Sequence, residues 1–213
     1  MVQKGYHAAG DIKKVLIDNQ KQLVENTNGQ NYQVYTFLHE QFHSGDTKNN
    51  GLFHFVCRSF YNLDNLSVTA EFEQKYFELI ERERLNDNRP NIVEITNALY
   101  QVKNRNGNPS MKFPLVISML HLKNPYFPTF DNNVATLFGF TSTNHLAGFN
   151  RKMKRLIEQY RHLFVTYQQL LGDSDIINLI NQIEKKMNDN KYSRLPKIKK
   201  LDLLINEATE LLK

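Results

Sequence analysis

His39-Glu40-Gln41-Phe42-His43 is a literal H-E-x-x-H, a place where residue type and spacing together suggest chemistry. On a helix, the i,i+4 spacing sets two imidazoles one turn apart on one face. There they can chelate zinc, with Glu40 as general base. The extended form with a third histidine is missing, and Gly45-Asp46 ends the helix almost at once. A third ligand would have to come from a distant acid such as Glu71, Glu73 or Glu78. The pattern fits equally a helix whose histidines are partly buried beside Phe37 and Phe42. A zinc-dependent hydrolase built on His39, Glu40 and His43 is thus a further alternative, and otherwise neither metal nor cofactor is expected.

A second constellation is basic. Arg151, Lys152, Lys154 and Arg155 stand at the front of a long amphipathic pattern, with Arg151, Lys154 and Arg155 on one face. Positive charge in the first turns of a helix opposes its dipole and adds no local stability. A phosphate backbone would compensate it. The competing reading is a solvated face with Glu158 as a local partner.

The third runs from Leu120 to Val134: Leu-His-Leu-Lys-Asn-Pro-Tyr-Phe-Pro-Thr-Phe-Asp-Asn-Asn-Val. An apolar helix, a connector carrying two prolines and an acid directly before the next helix make a rigid mount for one carboxylate. Asp131 is a natural N-cap, its oxygen accepting backbone N–H bonds from the next turn. Beside a cleft the same aspartate could stabilise a developing cation or position a water. Tyr126, Phe127 and Phe130 could stack on a base or simply fill a core.

This segment resembles the aspartate-bearing stretch of the helix–hairpin–helix DNA glycosylase superfamily. It is more closely similar to a group of bacterial glycosylase-like proteins that pair an apolar helix ending Leu-Leu-His with a Phe-Pro-Ile-Tyr-Asp-Ser turn. The counterparts here are Met119-Leu120-His121 and Phe127-Pro128-Thr129-Phe130-Asp131-Asn132. Lys199-Lys200-Leu201-Asp202-Leu203-Leu204 looks like the group's closing helix. The likeness is concentrated in residues 110–140 and 196–206, with only helical pattern shared elsewhere.

The resemblance implies that Asp131 is the catalytic aspartate, stabilising positive charge on the sugar as the base leaves. Bifunctional members carry a Schiff-base lysine on the preceding helix, where this chain has Ser118. A monofunctional glycosylase using water is therefore implied, or a relative without the chemistry. Family members often hold a DNA phosphate on the amides of a Gly-x-Gly turn. Here Asn106, Gly107 and Asn108, with nearby Lys103 and Arg105, would take that part. Lys112 and Lys123 flank the apolar helix and, with Arg151, Lys154 and Arg155, complete the expected DNA-binding set. The implied partner is DNA, with a nucleotide extruded into a cleft between helical subdomains. The alternative from another class is a non-catalytic helical module binding protein or nucleic acid.

The elements that must position these residues read as helices almost throughout. Ile12, Val15, Leu16 and Leu23 trace one face, interrupted by the polar Asn19; Tyr35, Leu38 and Phe42 trace another. Further helices are predicted over Leu52–Tyr61, along Val68, Phe72, Tyr76 and Ile80, and from Asn91, whose spacing to Glu94 suits a capping box, through Leu99 to Val102. Phe113–Leu122, a short helix after Asp131, Phe149–Leu171, Ile176–Met187 and a last one bearing Leu201 to Leu212 follow, with 103–109 a turn and 188–193 a polar loop. The expected fold is all-α, a globule of eight or nine helices. It forms a single domain or two packed helical subdomains with a cleft near residues 105–131.

Composition sets the bounds. With 213 residues, 40 % of them apolar, the chain can bury a substantial core. The start, Met1 to Tyr6, has no apolar run, so no signal peptide is expected. No stretch approaches the roughly 20 apolar residues of a membrane span. The one cysteine, Cys57, cannot form an internal disulfide and reads as a core thiol. A cytoplasmic location without a membrane partner is expected. The net charge of +5 is compatible with DNA binding without demanding it.

Overall fold

Apolar residues at helical spacing, separated by Asn, Asp and Thr caps, produce a chain that is helical between its turns. The computed structural model describes residues 5–27, 29–63 and 68–212. Among them are twelve helices and no strand: α1 (Ala9–Asp18), α2 (Gln20–Asn26), α3 (Gln30–Ser44), α4 (Gly51–Phe60), α5 (Ala70–Leu85), α6 (Ile92–Tyr100), α7 (Phe113–Lys123), α8 (Asn132–Leu137), α9 (Phe149–Leu171), α10 (Ser174–Met187), α11 (Asn190–Ser193) and α12 (Lys197–Leu211). The fold is all-α. None of the described helices is long and apolar enough to cross a membrane.

The helix count exceeds eight or nine partly because two polar stretches behave differently from expectation. Asn19 divides the first apolar face into α1 and α2, its side-chain amide donating back to Val15 O at 2.8 Å. Such local bonds compete with the helix ladder. The 188–193 loop contains a turn of helix, α11, because Asp189 accepts from both Lys191 N and Tyr192 N. Caps set most other starts. Asn50, Thr69, Asn91 and Asp173 each accept a backbone N–H from the first turn that follows. At Asn91 only half of the expected capping box forms, because Glu94 bonds Arg82 at 3.1 Å.

The described chain divides into two compact units, with α3 and α9 contributing residues to both. One gathers the described residues of 1–32, 128–146 and 154–213. Its centre is α12, which packs against α1, α2, α8 and α10. Every residue from Ile198 to Ile205 is buried, including Lys199, Lys200 and Asp202.

The other unit gathers 33–127 and 147–153. Its centre is α7, packed on α5 and α6, with Phe113, Leu115, Val116, Ile117, Met119, Leu120, His121 and Leu122 all buried. A helix apolar all round is a core helix. Cys57 lies in the same core, fully buried, and burial pushes its thiol far above the ordinary range.

Candidate functional site

Asp131 stands at the end of the proline connector and caps α8, its Oδ1 accepting from Val134 N at 2.8 Å. The residue is nonetheless exposed. Its mount is fixed residue by residue. Pro128 O accepts the Tyr160 hydroxyl at 3.0 Å. Thr129 donates through both N and Oγ1 to Asp202 Oδ1, each at 2.8 Å. Phe130 is buried against Phe140 and Tyr160.

Asp202 is the hub of this network. Its Oδ1 also accepts the Tyr167 hydroxyl at 3.1 Å, and Oδ2 accepts from Lys199 Nζ at 3.1 Å. Both members of the ion pair are withdrawn from solvent, at 2 % exposure for Lys199 and 1 % for Asp202. Burial pushes the Lys199 ammonium below its ordinary range, opposed by the carboxylate beside it. Burial likewise pushes the Tyr160 and Tyr167 phenols well up, reinforced by the charge of Asp202. The tyrosines therefore remain neutral donors at neutral pH. Lys199 and Asp202 were visible in the sequence only as family-like residues. The signal that marks them is a Lys and an Asp three apart, hence on one face, in a run whose other residues from Ile198 to Ile205 are apolar save Lys200.

The hairpin at 103–109 is closed by an isolated bridge between Lys103 and Pro109. Gly107 takes φ +74°, the left-handed conformation that suits glycine. All three amides expected to hold a phosphate are turned onto Asn104. Gly107 N donates to Asn104 O at 2.9 Å, while Asn106 N and Asn108 N donate to its Oδ1 at 2.9 and 3.1 Å. Any phosphate there would meet side chains rather than an open nest of amides. Lys103 is exposed, whereas Arg105 Nε is bonded to Val68 O at 3.1 Å.

The remaining bases differ in availability. Lys123 Nζ donates to Glu83 O and Asn86 O, capping the carbonyls at the end of α5. Lys112 is half-buried just before α7, and burial lowers its pKa. Arg151 and Lys154 are exposed on α9. Arg155 lies 3.7 Å from Glu158, the local partner the sequence offered, and 3.3 Å from Thr141 Oγ1. Ser118 donates its hydroxyl to Pro114 O in its own helix at 3.0 Å. Of the three aromatics, Tyr126 is exposed, Phe127 is half-buried and Phe130 is in the core.

His39 and His43 do lie on one face of α3, ring centroids 4.5 Å apart. His39 Nδ1 sits 2.8 Å from Leu122 O, so it carries the proton and clamps the end of α7, a bond that metal-ligating histidines also make from the ring nitrogen away from the metal. His121, packed on Tyr35, makes the same kind of bond from Nδ1 to Phe127 O. Among the described residues no three His, Cys, Asp or Glu side chains are grouped to hold a metal ion. The same unit has an open groove of about 380 Å³ bordered by Lys48, His54, Glu73, Phe77 and Glu78. Its acids are engaged, Glu73 with Arg58 and Glu78 with Lys75.

Compared with known protein families, curated proteins and solved structures, the chain matches none.

Proposed function

We propose that this chain is a DNA-binding, glycosylase-like protein in which Asp131 stabilises the positive charge that develops on a deoxyribose as its base departs. The observation that carries this reading is the situation of Asp131, an exposed residue on a backbone held by buried partners. A carboxylate that must face a cationic sugar needs access to the ligand and little freedom to turn away. Lys103, Arg151 and Lys154 supply exposed cations suited to a phosphate backbone, and Tyr126 an exposed ring suited to a base.

The chemistry would be monofunctional, since Ser118 stands where the Schiff-base lysine would be. The N-glycosidic bond breaks and its electron pair leaves with the base. A water oxygen then bonds to the anomeric carbon and its proton passes to the departed base, giving the neutral free base and an abasic site. Asp131 balances the charge of the sugar between these events.

A second reading, a non-catalytic helical module, is favoured by the cap that Asp131 makes to α8, which gives the residue a structural use of its own. One comparison separates the two. Asp131→Asn retains a good N-cap and should fold normally. Under the first reading it loses base excision by about 100-fold or more, while duplex binding stays within about twofold. Equal excision by both proteins removes Asp131 from the chemistry. No excision from any damaged duplex, with DNA binding intact, favours the second reading.

A further inference from the structure

We propose that Asp202 is the positioning residue of Asp131, acting through Thr129, with Lys199 as the buried counter-ion of Asp202. The inference rests on the reading of Asp131 as the functional carboxylate. It starts from an oddity of α12, which places two lysines and an aspartate among eight consecutive buried residues, Lys200 pairing outward with Glu184 and Lys199 inward with Asp202. Taking two charges out of water is costly, and a well-packed apolar pair in their place is often no less stable. Asp202 caps no helix, because it sits in the interior of α12. Its Oδ1 instead receives both donors of a single residue, Thr129, together with the Tyr167 hydroxyl.

Thr129 lies two residues before Asp131, with only the core residue Phe130 between them. A carboxylate gripping both the amide and the hydroxyl of Thr129 fixes that peptide's position and its rotation. Tyr160 on Pro128 O holds the carbonyl of the same peptide unit whose N–H Asp202 accepts. Charge-assisted bonds of this kind are about twice as strong as neutral ones. Lys199 supplies the counter-charge to this carboxylate from the preceding turn of the same helix. Loosening the grip lets the chain at Asp131 rotate, weakening its bond to Val134 N and misdirecting the carboxylate. A misplacement of that size lowers turnover more than substrate binding.

The test uses Thr129→Val, which removes the hydroxyl's short bond to Asp202 and its longer contact with Asn206 while keeping the shape of the side chain and both buried charges. Asp202→Asn serves as the harsher companion, since it leaves Lys199 buried without its counter-ion. Two readouts are taken on the full chain: the carboxyl carbon-13 resonance of Asp131 with hydrogen exchange of the Val134 amide, and single-turnover excision on the best damaged duplex. In Thr129→Val the Asp131 resonance moves and the Val134 amide exchanges about tenfold faster, while amides in α10 exchange as in the parent. Excision slows by about tenfold or more at saturating DNA, with affinity unchanged. Thr129→Ser, which keeps the hydroxyl, matches the parent in both readouts. An unmoved Asp131 resonance and unchanged Val134 exchange in Thr129→Val overturn the proposal, whatever excision does. So does excision at the parental rate. If the parent excises nothing while the resonance and the amide respond as expected, the positioning holds and the glycosylase reading fails.

Discussion

Lys199 and Asp202 stand three residues apart on α12, Nζ 3.1 Å from Oδ2, with almost no solvent reaching either side chain. Breaking a buried pair by removing one partner leaves the other as an uncompensated charge. Lys199→Met and Asp202→Leu should each lower unfolding free energy by about 3–5 kcal/mol. The double variant should recover the part of that loss due to the uncompensated charge, while the Thr129 and Tyr167 donors left without Asp202 keep the rest. Urea unfolding midpoints of the four proteins give the coupling directly. Additive losses would show that the pair is not coupled in the fold.

Glu81 makes acid stability measurable in the other unit. The Arg84 guanidinium, followed by the Thr47 hydroxyl and amide, lowers its carboxyl from an ordinary 4.5 to about 2. As pH falls below about 4.5 the unfolded chain takes up its proton first. The stabilisation is therefore whole at neutral pH and drains away between about pH 4.5 and 2. Allowing for solvent screening, it is worth about 1–2 kcal/mol. Glu81→Gln should be less stable than the parent by that amount at pH 7, with the gap closing at pH 3. A gap independent of pH would mean that the charge of Glu81 contributes nothing.

The bases of α9 and α7 should separate cleanly in a DNA-binding assay. Arg151→Ala with Lys154→Ala removes two exposed cations, and should reduce the slope of log affinity against log salt by about 2. Lys123→Met should leave that slope unchanged and cost stability instead, because its ammonium caps α5. Fluorescence anisotropy over a salt series, alongside thermal unfolding, reads both. A reduced slope in Lys123→Met would return that lysine to the DNA-binding set.

His39 should matter as a clamp, since no third ligand is grouped with it and His43 among the described residues. His39→Ala removes the donor to Leu122 O and should cost about 1–3 kcal/mol, while His39→Asn can still donate and should lose less. Dialysis of the tag-free protein against a chelator should leave its melting temperature unchanged. Stoichiometric zinc in the purified protein, with melting lowered on its removal, would restore the metal reading.

The outline of the fold was legible because helical periodicity is a local signal. The α7 run and the caps at Asn91 and Asp131 need only neighbours a few residues away. Asp131 could be singled out for the same reason: two prolines and a capping acid define its mount within a dozen residues. The break at Asn19 and the turn of α11 were not legible, since each depends on whether a polar side chain bonds its own backbone.

What the sequence by itself determined, then, is the all-α class, most helix starts and the short list of residues able to do chemistry. Tertiary structure alone decided which of those residues remain available. Lys123 and Arg105 are drawn onto backbone carbonyls 37 to 40 residues away, and His39 onto one 83 residues away. The hold of Asp202 on Thr129 spans 73 residues. The physical reason is that a buried donor or acceptor must find a partner wherever packing brings one. No spacing along the chain encodes a partner that arrives from another helix.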